Sequence, residues 1–318
     1  MGDKKFLECQ HPIVCLPMNR VSDIELAIAV GKAGCLPSII MASYSAELGK
    51  TFLHYRLKQD LLRYVTETKS RNLMISMTDF FLVTHHEKLF EILAPFKISH
   101  IEIIPYYGQG ENNEGYSLET YIRNMMKIKS YGAKIVVKCL KVPVEPIAET
   151  FINHNLIDAI IIKSNKGAGR VSDHYTGTLQ RLVKKTKDLY PNVHIIASGG
   201  VSTSSEIKEL IEAGASAVGL GTIFAMSKES KICYENKIEL LSKSSEHIER
   251  IRAPGKAPDS TGKNSIIFNT HKGWDDDNNT KSLEKGVEGK GGHLFVGYGI
   301  NNINEVLSVS DIVKRLTT

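Results

Sequence analysis

The sequence predicts an α/β chain folded as a (β/α)8 TIM barrel with a polar insertion and a C-terminal helix. Three observations carry this. Eight short apolar runs recur along the chain, helical segments separate them, and no GxGxxG fingerprint follows the first run. The last point disfavours an open doubly wound sheet, while eight alternating units match the barrel count. The 318 residues are 42% hydrophobic and 24% charged, enough apolar material for a sizeable core and too much for a disordered chain.

In order, the runs are 12–18 (PIVCLPM), 37–43 (PSIIMAS), 72–77 (NLMISM), 100–105 (HIEIIP), 134–140 (KIVVKCL), 158–164 (DAIIIKS), 194–200 (HIIASGG) and 217–222 (AVGLGT). Each is short and nearly continuous in apolar character, as parallel strands buried on both faces must be. The spacers carry helix punctuation. Ser22 or Asp23 can cap a helix with Ile24, Ala27, Ile28 and Gly31 on one stripe. Pro146 and the 148–153 run fit another. Ser204 and Ser205 open EIKELIEAG, which Gly214 stops. After Phe224 the rhythm changes. Residues 237–252 read as helical, 253–292 are rich in Gly, Lys, Asp and Asn, and the last stretch returns to order and ends in a helix. The chain therefore divides into a barrel over 1–252, a flexible polar insertion or lid over 253–292, and a segment over 293–318 that packs back on the barrel.

Composition excludes several partners. The net charge is +5 and spread along the chain without a basic run, so neither nucleic acid nor a membrane surface is expected. No stretch reaches the roughly 18 apolar residues that span a bilayer. MGDKKFLECQ has no apolar segment after its lysines and does not read as a secretory signal. Cys9, Cys15, Cys35, Cys139 and Cys233 are odd in number and contain no CxxC, which suits reduced thiols in a cytoplasmic protein. Asp275-Asp276-Asp277 lacks the spacing of a calcium loop, and no metal is expected. The partner is a small molecule, and a homo-oligomer is left open.

A barrel carries its active site at the C-terminal ends of its strands, often with a phosphate held by the last two loops. Here those loops are small: Ala197-Ser198-Gly199-Gly200 ends the seventh run and Gly219-Leu220-Gly221-Thr222 the eighth. Glycines admit a phosphate close to backbone N–H groups, and Ser198 and Thr222 can add hydroxyl donors. The sixth run leads into Lys163-Ser164-Asn165-Lys166-Gly167-Ala168-Gly169-Arg170, a third small-residue loop with three cations in its eight residues. Flexible backbone with cations beside a phosphate cup suits a large anionic cofactor whose flat ring packs there.

These residues resemble a known family. HPIVCLPMNRVSDIELAIAVGKAGCLPSI is similar to the opening of nitronate monooxygenases, where P-I-x-x-A-P-M leads into an E-L-A-x-A-V-x-x-A-G-G-L-G helix. HIIASGGVSTSSEIKELIEAGASAVGLGTIFAMSKES resembles the family's A-x-G-G-I…G-A-x-x-V-x-x-G-T-x-F segment, and VGYGINNINEVLSVSDIVKRL resembles its ending. The likeness runs from Pro12 to the C-terminus outside 253–292. Its motifs mark an FMN-binding barrel well and one reaction poorly, because flavin-dependent enoyl-acyl-carrier-protein reductases share them.

The resemblance implies FMN as cofactor. Pro17 and Met18 would meet the flavin ring, with Lys138, Ala168 and Gly169 near it. Ser198, Gly199, Gly200, Gly221 and Thr222 would hold the phosphate. An Asn of the family at the end of the third strand has no clear match, Ser76 or Met77 falling nearest. In the family the sixth-strand loop reads E-A-G-G-H, and its histidine acts as a base or a polar anchor. Here the histidine becomes Arg170, which cannot act as a base near neutral pH but can hold an anion bidentately. His174, four residues on, is the alternative catalytic residue. His85 and His86 sit where a loop should end and default to a helix start. The expected activity is FMN-dependent oxidation, with O2, of a small substrate that is already anionic, such as a nitronate. The alternatives are an NAD(P)H-dependent flavin reductase of an activated double bond and a catalytically retired barrel that still binds FMN or a phosphorylated ligand.

Overall fold

The computed structural model describes residues 4–41, 44, 50–78, 82, 86–104, 118–139, 142–144, 146–171, 177–252, 264–269 and 279–318. His85, His174 and Asp275–Asp277 lie outside them.

Each apolar run becomes a strand: β1 Ile13–Cys15, β2 Ser38–Ile40, β3 Met74–Thr78, β4 His100–Ile104, β5 Lys134–Cys139, β6 Ala159–Lys163, β8 His194–Ser198 and β9 Ala217–Leu220. They form one sheet in the order β1-β9-β8-β6-β5-β4-β3-β2, with every pair parallel. The ring closes at the seam between β1 and the lead-in to β2. There Cys15 N donates to Leu36 O at 2.9 Å, Leu36 N donates to Ile13 O at 3.0 Å, and Ser38 Oγ donates to Cys15 O at 2.6 Å. With helices between its strands, this is a (β/α)8 TIM barrel.

Side chains alternate across each strand, so two sets of residues separate cleanly. One set, including Ile13, Ile75, Ile101, Ile135, Ile160 and Ile195, packs outward against the helices. The other, including Val14, Met74, Val136, Ala159, Ile161, Ile196 and Ala217, fills the barrel together with Phe6 and Leu7 of the N-terminal segment. The parity that turns Val136 inward also turns Lys134 and Lys138 inward. The same holds for Ser76, for His100 and Glu102, for Lys163, and for His194 and Ser198.

Local punctuation mostly follows the sequence. Asp23 caps the helix Ile24–Lys32 by accepting from Leu26 N at 3.0 Å, and Gly214 follows the helix Ser204–Glu212 at φ +109°. That helix is capped by Thr203, in a capping box with Glu206, one residue before the serines expected to open it. His86 does open a helix, His86–Leu93, and the chain ends in the helix Val309–Thr317. The expected helix over 237–252 is corrected. A helix covers only Tyr234–Leu241, and Glu249–Arg252 is a strand, β10, because it pairs antiparallel with β11, Asn264–Asn269. β11 also pairs with β7, Gly169–Val171, and with β12, His293–Leu294. The polar stretch thus contributes β11 and the helix Asn279–Glu288. Among the described residues, no helix is long and apolar enough to cross a membrane. All five cysteines are free thiols.

Candidate functional site

A cavity of about 1170 Å³, its open mouth included, lies at the C-terminal ends of the barrel strands. Pro17, Met18, Lys138, Ala168, Gly169, Ser198, Gly199, Gly200, Gly221 and Thr222 all line it. These ten positions come from five separate stretches of chain, and the barrel register is what brings them together. Leu283 and Val287 of the helix Asn279–Glu288, with Leu294 and Phe295, supply an apolar wall.

The glycine loops are held by one another. Ser164 N donates to Ser198 O at 2.9 Å, and Ser164 Oγ donates to Gly199 O at 2.9 Å. Gly199 and Gly200 adopt φ of +110° and +81°. A Cβ on Gly199 would lie 2.6 Å from Ser164 Oγ, and one on Gly200 would lie 2.8 Å from Lys166 Cβ. Glycine is therefore needed here for loop-on-loop packing as much as for any ligand. Gly221 differs. It opens the turn Thr222–Ala225 without a side-chain cap, and a Cβ there would meet only Met18 Sδ at 3.8 Å, so its free side is cavity. Thr222 Oγ1 accepts from Gly297 N at 3.0 Å and keeps its own proton to donate.

Arg170 Cα pairs with Ser265 in the β7–β11 ladder, which fixes the path of the loop after β6. The 166–168 turn is held from the other side by Tyr298 N, which donates to Lys166 O at 3.0 Å.

Below the loops lies a layer of charge that sequence reasoning missed in part. Glu102 on β4 and Lys163 on β6 are 1% and 9% exposed, and both line the cavity with Lys138. Lys163 Nζ donates to Ala168 O. Burial pushes the Lys163 amine well down from the usual lysine range, and the Lys138 charge adds to this while Glu102 opposes it. Burial pushes the Glu102 carboxyl up, and Lys138, Ser76 and Lys163 draw it partly back. Ser76 sits beside Glu102, yet neither of its oxygens nor Ser76 Oγ has a partner of hydrogen-bonding geometry among the described residues. Glu102 escaped notice because one Glu within HIEII reads as an ordinary strand position; only the barrel parity turns it inward.

The donor set fits a phosphorylated flavin: small turns with hydroxyls at one side, a half-buried and a buried lysine, Lys138 and Lys163, to balance anionic charge, and apolar walls. Fold and cavity together define a class, the (β/α)8 barrels with a ligand-sized cavity at the C-terminal strand ends. The model of the nitronate monooxygenase family matches residues 122–318, and the chain belongs to that family of flavin-dependent oxidoreductases. The match leaves out the opening segment with Pro17 and Met18. Among solved structures, FabK from Thermotoga maritima is 20% identical with a TM-score of 0.74, covering 98% of this chain and 93% of that one. A nitroalkane oxidase from Streptomyces ansochromogenes is 17% identical with a TM-score of 0.70, covering 97% and 95%. The enoyl reductase domain of MlnA from Bacillus amyloliquefaciens is 14% identical with a TM-score of 0.70, covering 100% and 96%. At these identities the neighbours speak for the fold alone. No curated protein sequence matches the chain.

Proposed function

We propose that the chain binds FMN in this cavity and oxidises a small anionic substrate of the nitronate kind with O2, in the cytoplasm. The observation that carries the reading is the convergence of the ten expected positions on one cavity, which half-buried Lys138 and buried Lys163 also line. Ser198, Gly199, Gly200, Gly221 and Thr222 would hold the phosphate. Pro17, Met18, Ala168 and Gly169 would leave a flat slot for the ring. FMN, when bound, supplies the redox chemistry between substrate and O2. The chain's own residues orient and balance charge. Lys138 and Lys163 attract an anion to the ring side, and the apolar wall of Val287, Leu294 and Phe295 excludes water. Arg170 stands where the family has its histidine and can only stabilise negative charge, which suits a substrate that arrives ionised. His174 is the alternative base should neutral nitroalkanes prove to be the substrates.

The test is the visible spectrum of the purified protein, followed by anaerobic titration with a nitronate, NADH and NADPH. The expected result is a flavin spectrum bleached by the nitronate. Rapid bleaching by a nicotinamide with no response to nitronate would replace this reading with the reductase one. A paired variant, Gly221→Val, puts an isopropyl group into open cavity at a position whose φ is negative, −116°. It should fold and bind FMN at least about 100-fold more weakly, a loss of about 2.7 kcal/mol. Unchanged FMN affinity would displace the phosphate from the Gly221 turn.

A further inference from the structure

Glu102 is the group at this site that no step so far uses. Its carboxyl is 1% exposed, lines the cavity, and has no partner of hydrogen-bonding geometry on either oxygen among the described residues. A buried carboxylate without hydrogen bonds is a costly species, whereas a neutral carboxylic acid carries an O–H that can be donated to whatever enters. The described groups that face it come from each neighbouring element: Ser76 on β3, Lys138 on β5 and Lys163 on β6. Of these, Lys163 already spends a bond on Ala168 O.

An oxyanion that enters this cavity meets two different floors. Ionised Glu102 repels it and sets a negative charge between the ligand and the lysines. Neutral Glu102 donates a hydrogen bond to it and no longer competes with it for the Lys138 charge. We propose that the cavity takes up its anionic substrate together with one proton, which Glu102 holds as a carboxylic acid and donates as a hydrogen bond to the anion. The ligand class follows: small oxyanions with an acceptor oxygen, nitronates and carboxylates alike, in preference to neutral nitro compounds or esters. The proposal rests on the cavity being the anion site described above, and it is independent of the redox step. The upward push of burial on the Glu102 carboxyl agrees with it.

Linkage sets the sign. Below the pKa of Glu102 in the free protein, affinity does not change with pH. Above it, affinity falls about tenfold per pH unit, and each ligand brings one proton with it. The experiment is calorimetric titration of the purified protein with propionate, an inert carboxylate, across pH 5 to 10 in two buffers of different ionisation heat. Wild type should take up close to one proton per propionate on the alkaline limb. Glu102→Gln, permanently neutral and still a donor, should bind at every pH with the wild type's low-pH affinity and take up none. Glu102→Asp keeps an acid and should keep the uptake. Should Glu102→Gln fail to fold, infrared difference spectra of the wild type decide: propionate must strengthen the C=O band of a protonated carboxyl.

Binding without proton uptake, uptake that survives in Glu102→Gln and so belongs to another group such as Lys163, or no propionate binding at any pH would each overturn the proposal. Its failure is distinct from that of the functional reading. A protein that binds propionate with a proton but holds no FMN loses only the flavin assignment. A yellow protein that oxidises nitronate and takes up no proton loses only this one.

Discussion

At the N-terminal end of the barrel, His100, Lys134 and His194 crowd around Phe6, and each finds a partner; at the C-terminal end, Glu102 lines a cavity with Ser76 beside it, and neither finds a hydrogen-bond partner among the described residues. His100 Nε2 lies 3.2 Å from Phe6 O and Nδ1 lies 2.7 Å from Ser99 Oγ, so a neutral ring donates through one nitrogen and accepts through the other. Lys134 Nζ donates to Phe6 O and to Glu8 Oε1, both at 2.6 Å. His194 stacks on the Phe6 ring at 4.4 Å and bonds Ser216. Both ends bury ionisable groups in the same barrel. What separates plug from site is whether the hydrogen bonds are met, because a satisfied polar cluster stabilises and an unsatisfied one waits for a ligand.

The largest effect expected from this contrast is on stability. Phe6 is 4% exposed and anchors the plug with its ring as well as its carbonyl. Phe6→Ala should cost about 3–5 kcal/mol in urea unfolding while leaving FMN affinity per folded molecule unchanged. An equal loss of FMN affinity would mean that the plug shapes the site and the two ends are not separate.

A smaller effect comes from pH, and the two ends carry opposite signs. Burial, helped by Lys134, pushes His100 down to about 4 from 6.5. The unfolded chain therefore binds more protons below pH 6.5, and stability falls as pH drops from there toward 4. From pH 7 to pH 5 the His100 contribution lost is about 2 kcal/mol. Glu102, pushed up, contributes stability that is present below its unfolded pKa and lost as pH rises through its folded one. His293, pushed down to about 4 by burial, adds to the acid side. Urea unfolding at pH 7 and 5 checks this. His100→Gln should lose about 2 kcal/mol less than wild type over that interval, and an identical slope would remove His100 as the cause.

Much of this molecule was legible from its sequence, and the part that was not has a physical reason. Eight apolar runs became eight barrel strands because a strand covered on both faces must be apolar throughout. The small-residue turns were legible because Gly199 and Gly200 adopt a left-handed backbone and Ser198 ends a strand in the expected register. The small sheet of β7, β10, β11 and β12 was not. Strands such as Glu249–Arg252 (ERIR) are short, polar and joined to partners far along the chain, so neither period nor composition marks them. Glu102 was hidden for the opposite reason: its run is so apolar that one carboxylate reads as noise, and its direction depends on a register that only the closed barrel defines.

Amide hydrogen exchange with and without FMN tests most directly the claim that the unsatisfied end is the site and the plugged end is scaffold. On FMN addition, exchange should slow in segments 16–22, 163–169, 198–204 and 219–226, and stay unchanged in 4–11, 98–101 and 132–136 around the plug. Protection centred on the Phe6 end, or bound FMN with no slowing at the Gly199–Gly200 and Gly221 turns, would contradict the account.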